Sequence, residues 1–321
     1  MTHNSNVDKT SFKKNSSTID NDQNGHLLMN PDSVNNEEIS TNFDGADNSE
    51  NIEHSLSALN AIGNENISTG VGIDDSSSRN ELVNPEGLRV DGRRANELRK
   101  ITCKSNVIDY ADGSSYYEQG NTKVLVGVFG PRESKQRGVI QSTQVVFNVE
   151  FSMAPFSTGE RRKRSKNDKR LLEIAAIVKQ TFEPVILGNL FSRSQIDVFI
   201  HLLQQDGGML EASINATCLA LIDAGIPMID YVCACAAGYT SGFPLLDLNL
   251  SEENSFETPN LTVAILPRSE KIALIQLKSI LSVDKLGDVL ELAKVGCQFV
   301  HKKLDQTVKT STADLINKIS T

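Results

Sequence analysis

The sequence predicts an α+β domain that follows a long acidic segment with little apolar patterning. Two observations support this fold class. Strand patterns and helix patterns both occur between residues 84 and 308 of the 321-residue chain. They do not alternate one by one, as they would in a parallel α/β sheet, and several strand patterns directly follow one another.

The acidic balance of the chain belongs to its N-terminal segment. Residues 1–80 carry 13 Asp and Glu against four Lys and Arg, and the resulting −9 equals the formal charge of the whole chain. Such a segment cannot bury enough apolar surface to offset an ordering entropy of about 1–2 kcal/mol per residue. We therefore predict a disordered tail rich in Asn, Ser and Asp over 1–83, the folded domain over 84–308 and a polar C-terminal end over 309–321.

The first part of the domain is predicted to be mostly strands. Alternating residues over 107–117 surround Asp112-Gly113, a dipeptide that is typical of a two-residue hairpin turn. Apolar strand patterns follow over 120–131 and 144–153. Helical spacing of apolar residues then predicts a first helix over 168–187, with Asp168 as its N-cap.

The second part of the domain returns to alternating patterns. A strand over 194–203 precedes Gly207-Gly208, where a second helix begins that runs to Ala224-Gly225. A third helix is predicted over 284–304 from apolar residues on one face. Between these two helices, four further strands are predicted over 231–238, 245–248, 261–266 and 272–277.

Several classes of protein are excluded by the same sequence. The N-terminus lacks the basic and apolar regions of a secretory signal, and nothing reaches the roughly 18 apolar residues of a membrane span. Five cysteines are an odd number, and Cys233 and Cys235 lie in an apolar strand pattern, which indicates buried thiols in the cytoplasm, the nucleus or both. No P-loop or GxGxxG motif occurs, and we predict no cofactor and no metal.

An ordered series of segments resembles the RNase PH family of 3′→5′ phosphorolytic exoribonucleases, and in particular the catalytic-type ring subunits of the RNA exosome. The resemblance covers residues 86–308, nearly everything except the tail. Its main segments are Gly87-Leu-Arg-Val-Asp-Gly-Arg-Arg94, Glu118-Gln-Gly-Asn-Thr-Lys123, Phe129-Gly-Pro-Arg-Glu133, Ala154-Pro-Phe-Ser-Thr158 and Asp223-Ala-Gly-Ile-Pro-Met228.

This resemblance implies an RNase PH-like fold, a mixed sheet of four to five strands packed with helices. It also implies a ring of six such subunits around an RNA channel, with RNA-binding cap subunits and a hydrolytic exoribonuclease as further partners. The processes implied are maturation of ribosomal RNA and decay or surveillance of other RNAs, in the nucleus, the nucleolus and the cytoplasm.

The residues that the family uses for catalysis differ in this chain. Family members bind the attacking phosphate with Gly-Gly-Thr/Ser-Arg, where this chain has Leu210 in the place of the arginine. Two aspartates of the family align with Asn254 and Asn260. An amide has no proton to give near neutral pH and is a poorer ligand for magnesium, so we expect no catalytic residues. A shifted register would instead bring in one of the neighbouring glutamates, Glu252, Glu253 or Glu257.

Basic residues are the predicted contacts to single-stranded RNA. Arg161, Arg162 and Arg164 lie in a basic loop that would neutralise phosphates, and Lys169 and Arg170 lie where archaeal relatives carry an Arg-Arg pair. A solvated surface loop or a nuclear localisation signal would explain the same cluster. No aromatic ladder accompanies it, so base stacking is not expected to be the main mode.

Three functions remain open at this point. The leading hypothesis is a non-catalytic subunit that shapes the exosome ring and its RNA channel. The first alternative is an active phosphate-dependent exoribonuclease with displaced carboxylates. The second is a related protein that binds RNA outside the exosome.

Overall fold

The structure of the chain is a computed structural model. It describes residues 82–84, 88–133, 145–161, 168–240, 242–255 and 258–320. The predicted tail over 1–83 therefore lies almost entirely outside the described residues. Within these ranges no helix combines the length and apolar character that crossing a bilayer requires.

The first layer is a five-stranded sheet with the strand order β1-β2-β3-β5-β4. Strands β4 and β5 pair in parallel and the other neighbours pair antiparallel, so the sheet is mixed, as the resemblance implies. The strands are β1 (Ile101–Ser105), β2 (Gly113–Gln119), β3 (Thr122–Glu133), β4 (Val146–Met153) and β5 (Ser194–Gln204).

A second, antiparallel sheet has four strands in the order β7-β6-β8-β9. It corresponds to the four strand patterns predicted in the C-terminal part of the chain. The strands are β6 (Cys233–Thr240), β7 (Phe243–Leu246), β8 (Asn260–Leu266) and β9 (Lys271–Leu277).

The helices differ in how much of their surface is buried. Helix α2 (Met209–Asp223) is buried almost all round and packs against strands of both sheets, so it is the centre of the core. Helix α1 (Lys169–Phe182) packs on β4 through Phe182 and Phe147, whose ring centroids are 6.4 Å apart. A one-turn helix α3 (Leu250–Glu253) and a long helix α4 (Val283–Ser320) complete the described domain.

The predicted hairpin turn at Asp112-Gly113 is wrong. The tight turn is Gly120-Asn121, which joins β2 and β3 and has a positive φ of 60° at Gly120. Gly113 starts β2 and is glycine for a different reason, since a Cβ there would lie 2.3 Å from the amide nitrogen of Ala224. The dipeptide pattern thus reflects a close approach to the end of α2 and not a turn.

Helix α4 is longer than predicted. The apolar stripe that predicted it ends at Leu304, but the helix continues to Ser320. Threonines in this extension donate their hydroxyls to the carbonyl four residues earlier, as in Thr310 to Gln306 at 2.9 Å and Thr312 to Val308 at 2.8 Å. The extension also contacts the first sheet, because the hydroxyl of Ser105 in β1 donates to the hydroxyl of Ser311 at 2.8 Å.

Candidate active-site cleft

A cleft of about 320 Å³ lies where the start of α1, the start of α2, the end of α3 and the end of β9 meet. It contains Leu210, Asn254 and Arg170, three of the residues that the sequence analysis singled out. The lining residues are Arg170, Glu173, Ile174, Ile177, Met209, Leu210, Glu253, Asn254, Gln276 and Lys278.

A glycine turn leads into α2 next to the cleft, directly before the lining residues Met209 and Leu210. Gly207 and Gly208 have φ of 77° and 64°, and a Cβ on Gly207 would lie 2.5 Å from the carbonyl carbon of Asn249. Only glycine fits this conformation and spacing without strain. The first backbone N–H groups of a helix such as α2 have no intrahelical partner, an arrangement that favours an anion.

An internal carboxylate already occupies part of that position. The backbone N–H of Gly208 donates to Oε2 of Glu253 at 3.2 Å. Oε1 of the same carboxylate accepts from Nζ of Lys278 at 2.8 Å. Burial alone would lower the pKa of Lys278, but the carboxylates of Glu253 and Glu211 outweigh it and raise that pKa.

No side chain at the start of α2 offers a ligand to an anion. Met209 and Leu210 are buried, at 7% and 4% exposure, and both are apolar. The hydroxyl and the guanidinium that the resemblance places here have no counterpart at these two positions. The glycine turn is therefore followed by two apolar side chains, and neither offers a ligand to an anion.

The two asparagines occupy different environments. Asn254 ends α3, is exposed and lines the cleft, and its backbone N–H donates to the carbonyl of Leu250 at 3.0 Å. Asn260 begins β8, is 3% exposed and does not belong to the lining. Within the described residues its Oδ1 has no hydrogen-bond partner.

The three glutamates of the alternative register also differ in their environments. Glu252 is fully buried, pairs with the Arg89 guanidinium and forms a capping box with Asn249, so it is committed to the scaffold. Glu253 lines the cleft and is paired as described above. Glu257 lies outside the described residues.

A further carboxylate, Glu211, lies under the cleft and was not singled out from the sequence. It is buried and accepts a short hydrogen bond from the hydroxyl of Thr262. Burial, and then the neighbouring charge of Glu253, raise the pKa of Glu211 above its ordinary 4.5. The sequence carries little signal for it, because one Glu inside an apolar helix pattern does not reveal what it faces.

A buried ion pair holds the glycine turn from below. Asp247 accepts from the backbone N–H of Arg99 at 2.7 Å and from its guanidinium, also at 2.7 Å. The guanidinium additionally donates to the carbonyls of Asp206 and Gly207. Although burial opposes it, the charge of Arg99 lowers the pKa of the Asp247 carboxyl.

The family's magnesium ion does not fit the residues of this cleft. The aligned positions offer the amides of Asn254 and Asn260, and the Lys278 ammonium already pairs with Glu253. An ammonium bound to the carboxylate next to Asn254 would repel a divalent cation. In the described ranges no three His, Cys, Asp or Glu side chains converge on a common point.

The predicted RNA contacts are only partly described. Lys169 and Arg170 are exposed at the first turn of α1, where the side chain of Asp168 accepts from the Arg170 backbone N–H at 3.1 Å. Arg170 lines the cleft, which places one predicted RNA contact beside Leu210 and Asn254. Arg161 is exposed, and Arg162 and Arg164 lie outside the described residues.

Comparison with known proteins identifies similar sequences over the described domain. The model of domain 1 of the 3′ exoribonuclease family, RNase PH, matches residues 97–227, and the model of domain 2 matches residues 230–296. These two matches cover more than half of the chain. The boundary between them falls just before β6, where the second sheet begins.

Named relatives come from eukaryotes and archaea. Exosome complex component RRP41 of Homo sapiens is 46% identical over 230 residues, 71% of this chain and 94% of that protein. Exosome complex component SKI6 of Saccharomyces cerevisiae is 39% identical over 245 residues, 76% and 99% of the two chains. Exosome complex component Rrp41 of Thermococcus kodakarensis is 42% identical over 229 residues, 71% and 91% of the two chains.

A solved structure agrees with the fold. The crystal structure of rice (Oryza sativa) Rrp46 superimposes with a TM-score of 0.61 at 24% identity, covering 69% of this chain and all of that one. At this level of identity the likeness concerns the fold alone. It confirms the predicted α+β, RNase PH-like architecture.

Proposed function

The chain belongs to the RNase PH-type 3′ exoribonuclease family, and from this membership we propose that it is a non-catalytic ring subunit of an RNA exosome. The chain matches exosome complex components from human, yeast and an archaeon over nearly the whole length of each of those proteins. In this role it shapes the RNA channel and supports 3′→5′ processing and decay by associated hydrolytic nucleases. Its partners are other RNase PH-like ring subunits, RNA-binding cap subunits and a hydrolytic exoribonuclease.

One observation carries the proposal that the subunit is non-catalytic. The carboxylate of Glu253 accepts from the Gly208 N–H, at the position where the backbone turn would otherwise receive an anion. The attacking phosphate would have to displace this carboxylate to reach the same amide. It would also have to compete with the carboxylate for the Lys278 ammonium, which is 2.8 Å from Oε1 of Glu253.

The other requirements of phosphorolysis are also unmet at the aligned positions. Protonating the departing 3′ oxygen needs a group with a labile proton, and Asn254 offers an amide. Loss of a general acid alone typically lowers a rate about 10²–10⁴-fold. Loss of the phosphate site as well leaves no route to a useful rate.

RNA contact remains compatible with the same cleft. Lys169 and Arg170 present two cations at the start of α1, beside the cleft and exposed to solvent. Such contacts neutralise phosphates without reading sequence, which suits a channel that passes many RNAs. The subunit would thus guide RNA past a site that no longer cleaves it.

Reconstituted rings test the proposal directly. Rings that contain this chain but lack the hydrolytic nuclease are incubated with 3′-labelled RNA, with and without inorganic phosphate. We expect no nucleoside diphosphates in either case, whereas an archaeal exosome ring serves as the active control. Phosphate-dependent release of nucleoside diphosphates from the rings would overturn the proposal.

A second candidate function is favoured by Glu253 itself. It is a carboxylate in the cleft, and it would be the displaced catalytic group of an active phosphate-dependent 3′→5′ exoribonuclease. Glu253→Gln separates the two functions: a phosphorolytic activity that this substitution abolishes would establish the enzyme. Glu173→Gln, on the α1 side of the same cleft, is the matched control.

A further inference from the structure

A cluster of aromatic rings lies on the exposed face of the five-stranded sheet. The rings of Tyr110 and Phe129 stack with centroids 6.0 Å apart, and Phe199 meets Phe129 edge-on at 5.6 Å. Their strand neighbours Val128 and Val198 are buried, so these rings belong to the opposite face from the core. We call Tyr110, Phe129, Phe199 and Arg132 the aromatic surface.

Tyr110 is the most accessible member of this surface. It is 80% exposed, while Phe129 and Phe199 are half-buried. The loop that carries Tyr110 packs over Gly127, where an added Cβ would be in ordinary van der Waals contact with the Ile108 side chain at 3.5 Å. Among the described residues nothing covers the outer side of the Tyr110 ring. An exposed aromatic group of this size is a feature of recognition surfaces.

The charges around the rings are mainly negative. Asp109 and Asp112 flank Tyr110 in the loop, Asp197 lies opposite Phe129 on β5, and Glu150 lies opposite Phe199 on β4. Among the described residues, these four carboxylates stand against one cation in contact with the rings, the Arg132 guanidinium. An RNA backbone would be repelled by this distribution, and a cationic side chain would be attracted.

Arg132 provides an internal example of how this surface holds a cation. Its guanidinium carbon lies 4.8 Å from the centroid of the Phe129 ring and a guanidinium nitrogen lies 3.8 Å from the Asp112 carboxylate. A ring face and a carboxylate thus bind one cation together. Tyr110 presents the same pair of groups, its own ring and the adjacent Asp109, and no cation from the described part of the chain contacts its ring.

We propose that the aromatic surface binds a segment of a protein partner through an arginine or lysine side chain that stacks on Tyr110. The apolar part of that segment would lie along Phe129 and Phe199, and the carboxylates would orient its charge. Aromatic rings and charge complementarity are what such interfaces use for affinity and orientation. This inference concerns a different face from the cleft and does not depend on the proposed exosome role.

Titration of the isotope-labelled full chain by NMR tests this inference. The probe is an acetylated and amidated pentapeptide, Gly-Arg-Leu-Arg-Gly, with the corresponding glutamate peptide and an eight-nucleotide uridine RNA as comparison ligands. We expect the arginine peptide to shift amide signals of β3, β5 and the Tyr110 loop. The glutamate peptide and the RNA should leave these signals in place.

Substitutions then identify the group that binds. Tyr110→Ala should weaken binding of the arginine peptide roughly 2- to 30-fold, and Tyr110→Phe should retain it, since the ring carries the interaction. Tyr239→Ala is the matched control, because Tyr239 also meets a cation, with Lys285 Nζ 4.3 Å from its ring centroid, but on the other sheet. Equal shifts with the glutamate peptide, preferential binding of RNA here, or unchanged affinity in Tyr110→Ala would overturn the proposal.

Discussion

Two sets of ion pairs surround the start of α2, and they differ in burial. Beneath the glycine turn, Arg99 with Asp247 and Arg89 with Glu252 are almost fully buried, and each arginine also donates to backbone carbonyls. At the cleft, Lys278 is 41% exposed in its pair with Glu253. The arginines of the buried pairs hold the backbone around the glycine turn in place. The Lys278–Glu253 pair joins two side chains within the cleft.

The difference in burial distinguishes residues that maintain the backbone of the site from residues whose side chains line the cleft. Removing one partner of a buried pair leaves an uncompensated charge, so those residues cannot be exchanged singly. A half-exposed pair contributes little and is screened by water. Residues at the cleft can therefore change while the turn beneath them keeps its shape.

The largest expected effect comes from breaking the buried set. Arg99→Met leaves the Asp247 carboxylate buried without its partner, and we expect a loss of about 3–5 kcal/mol in the free energy of unfolding. Urea denaturation of the purified full chain measures it. A loss no larger than that of a cleft substitution would remove the distinction between the two regions.

Replacing the buried Glu211 under the cleft should have the opposite effect on stability from replacing Arg99. Because the pKa of Glu211 is raised above 4.5, the native state holds its proton to a higher pH than the unfolded state does. The free energy of unfolding therefore falls as pH rises from 4.5 through that higher value. Glu211→Gln should remove this fall and stabilise the chain at neutral pH.

Urea denaturation between pH 5 and pH 8 provides the measurement for Glu211→Gln. Glu173→Gln, at an exposed position of α1, is the control and should leave the pH profile unchanged. A destabilised Glu211→Gln protein at neutral pH would mean that the carboxylate is needed in its ionised form.

The exposed cations of α1 should affect RNA and not stability. Replacing Lys169 and Arg170 by Gln should weaken binding of a single-stranded RNA and reduce the salt slope by about 0.7 for each phosphate that is no longer neutralised. Fluorescence anisotropy across salt concentrations measures both the affinity and the slope. Lys179→Gln, in the last turn of the same helix, is the control. An unchanged salt slope would mean that Lys169 and Arg170 do not contact RNA.

The cleft pair should contribute the least to stability. Lys278→Met removes the ammonium from Glu253, and we expect a change below about 1 kcal/mol in the free energy of unfolding. The same urea denaturation measures it, with the Arg99→Met protein for comparison. A loss of several kcal/mol would mean that the cleft is part of the scaffold.

Restoring the family's aspartates should produce no activity. Asn254→Asp with Asn260→Asp returns the carboxylates, but Leu210 still provides no anion ligand and Glu253 still occupies the Gly208 amide. The ring assay with inorganic phosphate should therefore release no nucleoside diphosphates. Detectable phosphorolysis by the double variant would mean that the carboxylates alone were limiting.

Much of the fold followed from local patterns, and the errors arose where contacts between distant parts of the chain decide the structure. Alternation and helical spacing predicted the strands and helices, because the buried faces repeat with the period of each element. The Asp112-Gly113 dipeptide led to a wrong prediction of a hairpin turn. Gly113 is instead required by its close approach to Ala224, which is far away in the chain. The prediction of α4 stopped at Leu304 because the residues beyond it are polar, although Ser311 in this extension contacts Ser105 of β1.

The residues of the cleft were only partly predicted, because contacts between different elements leave no pattern in the sequence. The resemblance identified Leu210 and Asn254, which the structure brings together in one cleft. It did not identify Glu253 as the partner of the Gly208 amide, nor Lys278 as the partner of Glu253. Those hydrogen bonds join α2, α3 and β9, and no spacing within any one of them indicates that they meet.

The hydrogen bond from Gly208 to Glu253 has a consequence for engineering this cleft. A side chain that binds anions, introduced at Leu210 alone, would leave the Gly208 amide bonded to the Glu253 carboxylate. The design of a phosphate site here would therefore have to replace Leu210 and Glu253 together.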